Sequence, residues 1–326
     1  VDHNERWFDG APEATVAEAL SLLQAVQVPA GTVLMEQDDP DPALLYLMSG
    51  TVGVWRDGVP LAKAGPGDVV GEMSLFTGKP RAATVRALDE VHGVVLDRPG
   101  YDALRDANNA LAWRIERLTL EVLSRRLRAM NAGIAASVAG TPSPQLKPAP
   151  GLFDRVRDFL FGAALPPPPS SRDDFDAEAY LRSSPLFADE RSSFRVGVAR
   201  HLRHEAHPAG AMLCTQGEPG DRMFLLATGA VDVLVDVDAT RIHRAATLSP
   251  GSAFGMSALF EAQPRMASCV ATTPIDALVL DRATWESVIA ESDRVASALR
   301  VAMIRAFSAQ LTAAGADYVR AYLHPR

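Results

Sequence analysis

Between Gly71 and Thr84, the run Gly71-Glu72-Met73-Ser74-Leu75-Phe76-Thr77-Gly78-Lys79-Pro80-Arg81-Ala82-Ala83-Thr84 gathers one carboxylate, one guanidinium and the start of a short helix. Glu72, when ionised, only accepts hydrogen bonds and suits a ribose hydroxyl; Thr84 can donate or accept. Arg81 offers a planar fork that matches phosphate oxygens. Met73 and Ser74 fall in the first turn of the helix, where backbone N–H groups lack internal partners and favour an anion. One anionic sugar satisfies the whole set. The alternative is a plain turn-helix-turn in which Glu72 and Arg81 form a structural ion pair.

Other chemistries fit less well. Gly71, Gly78 and Lys79 suggest a P-loop, but six residues separate the glycines and Pro80 follows the lysine, where that motif needs four and a Ser or Thr. His201, His204 and His207 resemble a metal cluster, yet a spacing of three along a strand alternates faces. Gly255-Met256-Ser257-Ala258-Leu259 lacks the second glycine of a nucleophile elbow. Cys214 and Cys269 have no C-x-x-C spacing and no cysteine counterpart in the other half of the chain, so they read as small core residues.

The elements that must hold this run are short. Residues 14–28 carry Val16, Ala19, Leu20, Leu23 and Val26 near helical spacing, which predicts a helix ended by Pro29-Ala30-Gly31. Residues 33–55 read as short strands around Leu45, Leu47, Val52 and Val54, separated by Asp38-Asp39-Pro40 and Ser49-Gly50. Val91-His92-Gly93-Val94-Val95-Leu96 is a further strand, and Asp97-Arg98-Pro99 opens a helical region broken near Asn108-Asn109 and running to about residue 136. Its last part has two apolar stripes, Leu111, Ile115, Leu118, Val122 and Leu120, Leu123, Leu127, Met130, Ile134. One stripe would cover the first domain and the other would meet a second subunit, which predicts a homodimer; a single wide stripe on its own domain is the alternative.

The chain then repeats itself. Pro29-Ala30-Gly31 returns as Pro208-Ala209-Gly210, and Leu34, Gln37, Pro40, Leu47 and Gly50 return at one offset as Leu213, Gln216, Pro219, Leu226 and Gly229. Gly67, Gly71, Leu75, Phe76, Pro80, Arg81, Ala83, Leu96, Asp97 and Arg98 return as Gly251, Gly255, Leu259, Phe260, Pro264, Arg265, Ala267, Leu280, Asp281 and Arg282, beyond a hairpin lengthened around Val231, Val233, Val235 and Val237. At the position of Glu72 stands Met256, whose thioether cannot replace a carboxylate acceptor. The expected organisation is a first domain over residues 1–136, a Pro-rich linker over 137–173 with a short amphipathic helix near 152–161, and a second domain over 174–326.

Val70-Gly71-Glu72 and Pro80-Arg81-Ala82-Ala83-Thr84 together resemble the phosphate-binding cassette of cyclic nucleotide-binding domains, as in protein kinase A regulatory subunits and catabolite activator proteins. The resemblance covers nearly all of the chain except the linker. It implies a mainly β fold with flanking helices, two jelly-roll-like β-rolls each followed by a long helix. By position it implies Gly71 and Glu72 at the ribose, Met73, Ser74 and the Ala82 backbone at the phosphate, Arg81 paired with its charge and Thr84 lining the pocket. In the second copy the corresponding set is Gly255, Ser257, Arg265 and Ser268. The base contacts, expected from the helix around Arg117 to Arg128, are not assigned. Ala82, where guanine-preferring relatives often have Thr, implies cyclic AMP.

Composition sets outer limits. The chain has 326 residues, 48% hydrophobic and 22% charged, with a net charge of -8, which argues against a surface that tracks nucleic acid. No apolar run reaches the roughly 18 residues needed to span a bilayer and no signal pattern is seen, so the cytoplasm is the expected compartment and a membrane partner is not. The chain begins with Val1 rather than Met, which leaves room for a leader or another domain before it. After the second long helix, marked by Leu299, Met303, Phe307 and Leu311, no DNA-reading helix-turn-helix is expected. No Arg-Arg-x-Ser-like segment precedes the first copy. The expectation is a non-enzymatic, cyclic AMP-responsive regulatory protein without cofactor or metal, acting on an unidentified downstream protein. A scaffold with vestigial pockets, or the regulatory part of a longer enzyme, are the alternatives.

Overall fold

The structure, a computed structural model, describes residues 17, 19–139, 169–171, 175–236, 242–261, 264–290 and 293–323. The linker with its amphipathic segment 152–161, the Val237 position and the Ile134 side chain lie outside the described residues. Two compact units result, one of Val1–Met130 with Ser292–Arg326 and one of Asn131–Glu291.

The first unit is built on eight short strands: β1 (Gln24–Val28), β2 (Val33–Met35), β3 (Leu44–Ser49), β4 (Val52–Arg56), β5 (Val59–Ala64), β6 (Val69–Val70), β7 (Thr84–Ala87) and β8 (Val91–Leu96). They form two four-stranded antiparallel sheets, ordered β1-β8-β3-β6 and β2-β7-β4-β5. Leu45, Leu47, Val52, Val70, Val85 and Val91 fill the space between them. Each such side chain taken out of water contributes about 1.5–3 kcal/mol.

The predicted helix over residues 14–28 is too long. Ala17 and Ala19 to Ser21 are helical, but Gln24–Val28 is strand β1, paired from Gln24↔Val95 to Val28↔Val91. The helical spacing of the apolar residues competes there with an alternation at Val26 and Val28, and the partner strand, remote in sequence, decides in favour of strand.

The break at Asn108-Asn109 is present. Helix Arg98–Asp106, capped by Asp97 through Gly100 N at 2.8 Å, stops before Asn108 at φ 53°, and a second helix runs over Ala110–Ala139 with the Asn109 side chain capping Leu111 N at 2.9 Å.

The second unit repeats the plan with β9 (Arg203–His207), β10 (Met212–Cys214), β11 (Arg222–Thr228), β12 (Val231–Asp236), β13 (Ile242–Leu248), β14 (Ala253–Phe254), β15 (Ser268–Ala271) and β16 (Ile275–Asp281), in sheets β14-β11-β16-β9 and β10-β15-β12-β13. The duplication extends to polar detail. Gln37 Oε1 accepts from Asp57 N at 2.9 Å, and Gln216 Oε1 accepts from Asp236 N at 2.8 Å.

The terminal helix, Arg294–Leu323, belongs by sequence to the second copy but packs with the first unit. Its Arg300 and Ser297 meet Glu116, Arg294 meets Asp106, and the Thr312 carbonyl accepts from Arg56. Leu120, Leu123 and Leu127 are buried within this single chain. The premise of the expected homodimer, a stripe left for a second subunit, therefore does not hold for these residues.

Candidate functional site

The first cassette starts at Gly71, which caps helix Glu72–Thr77 in the left-handed region at φ 79°. A Cβ there would lie 2.4 Å from Arg81 Nη1, 2.6 Å from the Ala43 carbonyl oxygen and 2.7 Å from Met35 Cε, so only glycine fits. Gly71→Ala is expected to cost about 1–2 kcal/mol from the backbone alone, and more from the displaced arginine. A thermal melt and a nucleotide titration indistinguishable from the unmodified protein would refute this.

Glu72 and Arg81, the two sequence-predicted charged residues, stand at opposite ends of the cassette and are 1% and 4% exposed. They are not paired with each other. Glu72 Oε1 accepts from Arg126 Nη1 at 2.6 Å, while Arg126 Nη2 donates to the Val69 carbonyl at 2.6 Å. Arg126, on helix Ala110–Ala139, falls within the region where the sequence left base contacts unassigned. Among the described residues, Glu72 Oε2 has no hydrogen-bond partner. Arg81 Nη1 donates to the carbonyls of Ala43 at 2.5 Å and Gly71 at 3.0 Å, and Nη2 donates to Asp41 at 3.1 Å. Backbone bonds from Arg81 N to Asp39 O at 2.8 Å and from Asp38 N to Arg81 O at 2.9 Å tie the arginine to the loop before β3. Thr84 Oγ1 accepts from Gln37 N at 3.1 Å, closing the same loop from the other side. Ser74 is buried within the helix; Met73 and Ala82 are half-buried beside it.

The C-terminal carbonyls of the cassette helix, which have no partner inside it, are met by two arginines. Arg98 donates to Leu75 O at 3.0 Å and Arg305 of the terminal helix donates to Phe76 O at 3.0 Å. The Phe76 ring packs edge-on against Tyr101 at 4.9 Å, and the Tyr101 hydroxyl donates to fully buried Glu116 at 2.9 Å. Ser297 and Arg300 complete that carboxylate at 2.6 and 2.7 Å. The cassette is thus wired through one buried acid to the terminal helix.

In the second unit Gly255 again lies at φ 78°, and Arg265, 7% exposed, donates through Nη1 to its carbonyl at 2.8 Å. Ser268 Oγ accepts from Gln216 N at 2.7 Å, as Thr84 does in the first copy. Ser257 and Met256 are buried. The structure brings the two cysteines together, which the sequence did not indicate: Cys214 and Cys269 are opposite residues on β10 and β15, both buried free thiols. Their mutual hydrogen bond, with help from Arg265 and Arg222, holds the Cys214 thiol below the usual range, and the same bond with burial pushes Cys269 up. The histidines do not converge on one point: His204 bonds Asp276 at 2.9 Å and His207 bonds Glu205 at 3.0 Å. His207 in turn holds the Glu205 carboxyl below its ordinary range.

Asp41, Arg126 and Glu116 were not singled out from sequence. Their partners lie 40, 54 and up to 184 residues away, and no local pattern marks such pairs.

Comparison with known proteins agrees with this geometry. Residues 25–108 and 204–292 each match the profile of the cyclic nucleotide-binding domain. The chain is 35% identical over 116 residues to a cyclic nucleotide-gated potassium channel of Mesorhizobium japonicum, covering 36% of this chain and 31% of the channel. It is 24% identical over 289 residues to a cAMP-dependent protein kinase regulatory subunit of Yarrowia lipolytica, covering 89% of this chain and 60% of that subunit. It therefore spans less than two thirds of either relative. The solved regulatory domain of Toxoplasma gondii protein kinase A with cAMP aligns over 88% of both chains at 20% identity and a TM-score of 0.33. With both copies matched and each cassette folded around its glycine and buried arginine, the chain belongs to the cyclic nucleotide-binding domain family and carries that domain twice.

Proposed function

We propose that the chain is a cyclic nucleotide-responsive regulatory protein that binds cyclic AMP in its first pocket and performs no catalysis of its own. The observation that carries this reading is the state of Glu72: a buried carboxylate with Oε1 held by Arg126 and Oε2 without a partner among the described residues. A ribose hydroxyl donates to Oε2 without breaking the ion pair. The phosphate takes the remaining donors of Arg81 in exchange for Asp41, whose carboxyl is 59% exposed and is returned to water at little cost. Met73, Ser74 and the Ala82 backbone line the phosphate side and Thr84 the wall.

Ala82 offers no side-chain hydroxyl to the exocyclic amine of guanine. One such hydrogen bond is worth about 0.5–1.5 kcal/mol, so cyclic AMP should bind about 2- to 12-fold more tightly than cyclic GMP. Calorimetric titration with both nucleotides and a cyclic dinucleotide tests this. Tighter binding of cyclic GMP overturns the preference, and no saturable binding of any of them overturns the function in favour of a scaffold.

The reading extends to a cytoplasmic protein that acts on a downstream protein partner. A homodimer, if sedimentation shows one, uses a surface other than Leu120, Leu123 and Leu127. The coverage of relatives favours a second reading, in which the chain is the regulatory part of a longer protein: it aligns with only 29% of a cGMP-dependent protein kinase of Caenorhabditis briggsae while 85% of this chain takes part. A catalytic segment in the same reading frame tests that.

A further inference from the structure

Each charge of the first pocket has a counter-charge at hand, Arg81 with Asp41 and Glu72 with Arg126. The second pocket has neither arrangement. In the repeat register that carries Pro40 onto Pro219, the position of Asp41 is Gly220, and that of Glu72 is Met256. Arg265 is 7% exposed, its Nη1 bonds the Gly255 carbonyl, and no carboxylate lies within ion-pair distance of it among the described residues. The neighbouring cation, Arg222, is already taken by Glu205 at 3.6 Å and Asp221 at 3.3 Å. A buried guanidinium without a counter-ion is costly, and an anion from solution removes that cost. Buried, apolar Met256 gives a ribose hydroxyl no acceptor to match a carboxylate.

We infer that the second pocket is a site for a phosphate or phosphomonoester dianion, held by Arg265 without a ribose contact, and that it selects against the cyclic nucleotide of the first. Ser268 Oγ accepts from Gln216 N, which leaves its O–H proton able to donate to the same anion. Arg265 is held in place by its own backbone, with N donating to Glu218 O and its carbonyl accepting from Gly217 N, both at 2.9 Å. With Nη1 also held by the Gly255 carbonyl at 2.8 Å, the guanidinium is positioned before any ligand arrives, so binding costs little reorganisation.

The inference does not depend on what the first pocket binds, and the test keeps the two apart. Inorganic phosphate and cyclic AMP are titrated calorimetrically into Arg81→Ala protein, in which the first pocket is disabled. Phosphate is expected to bind at one site and raise the melting temperature by mass action, with cyclic AMP at least about tenfold weaker there. Adding Arg265→Ala should abolish the phosphate site. Gly220→Asp tests the same charge with the arginine left in place: it restores the counter-ion of the first copy and should weaken phosphate by about tenfold or more. Phosphate binding that survives both substitutions is an adventitious ion only and overturns the proposal. So does an absence of saturable phosphate binding, or cyclic AMP binding more tightly than phosphate on the Arg81→Ala background. Failure of the unmodified protein to bind cyclic AMP would remove the proposed function and leave this site standing.

Discussion

Glu116→Ala is expected to destabilise the first unit by about 3–5 kcal/mol, because it leaves Arg300 charged and buried with no acid beside it. Tyr101 and Ser297 lose their acceptor in the same step, and Arg300 Nη2 already has no hydrogen-bond partner among the described residues. The Glu116→Ala, Arg300→Ala double variant should be less damaged than the sum of the single ones, since each single change leaves unpaired the buried charge that the other removes. Urea unfolding of all three proteins measures this. Additive losses, or a loss below about 1 kcal/mol for Glu116→Ala, would show that the buried acid does not hold the junction. A nucleotide titration of the same variants reports whether the cassette feels the change through Tyr101 and Phe76.

Arg81→Ala should lower cyclic AMP affinity about 30-fold to several thousand-fold, the range for truncating one partner of a buried charged contact. Arg265→Ala should leave that affinity within about threefold, because Met256 denies the second pocket a ribose partner. Arg81→Lys separates charge from shape: it keeps the cation but loses the fork that reaches Ala43, Gly71 and Asp41 at once, and it should fall between the two. Melting curves run alongside show whether the variants fold. Equal damage from Arg81→Ala and Arg265→Ala would mean that the two pockets hold nucleotide alike, against the role given to Glu72.

The candidate cassette was legible in the sequence because it is local. Gly71, Glu72, Arg81 and Thr84 lie within one turn-helix-turn, and the duplication fixes the register of Gly255, Arg265 and Ser268 against it. Strands such as Val91–Leu96 and the helix start at Asp97 were legible for the same reason, each being marked by its own alternation or cap. What escaped was non-local. Gln24–Val28 has apolar spacing compatible with a helix, and only β8 makes it a strand. Arg126 meets Glu72 across 54 residues, and Cys214 meets Cys269 through a strand register that neither local sequence announces. Leu120, Leu123 and Leu127 on helix Ala110–Ala139 are buried within the chain itself, and the apolar spacing alone does not say whether the same chain or a second subunit buries them.

The placing of the terminal helix in the first unit has a consequence for biosynthesis. Residues up to Met130 leave the ribosome before the second set of strands, and Arg294–Leu323, which supplies the partners of Glu116, Asp106 and the Phe76 carbonyl, leaves only after it. The segment up to Met130 is therefore not a finished unit until Arg294–Leu323 has been made. The nascent chain must carry its earliest pocket unfinished while the entire second β-roll is translated, and the second unit has all its strands before the first has its final helix. A nonsense codon just before Arg294 would strike the cassette furthest from it in sequence and leave the strands of the nearer one intact.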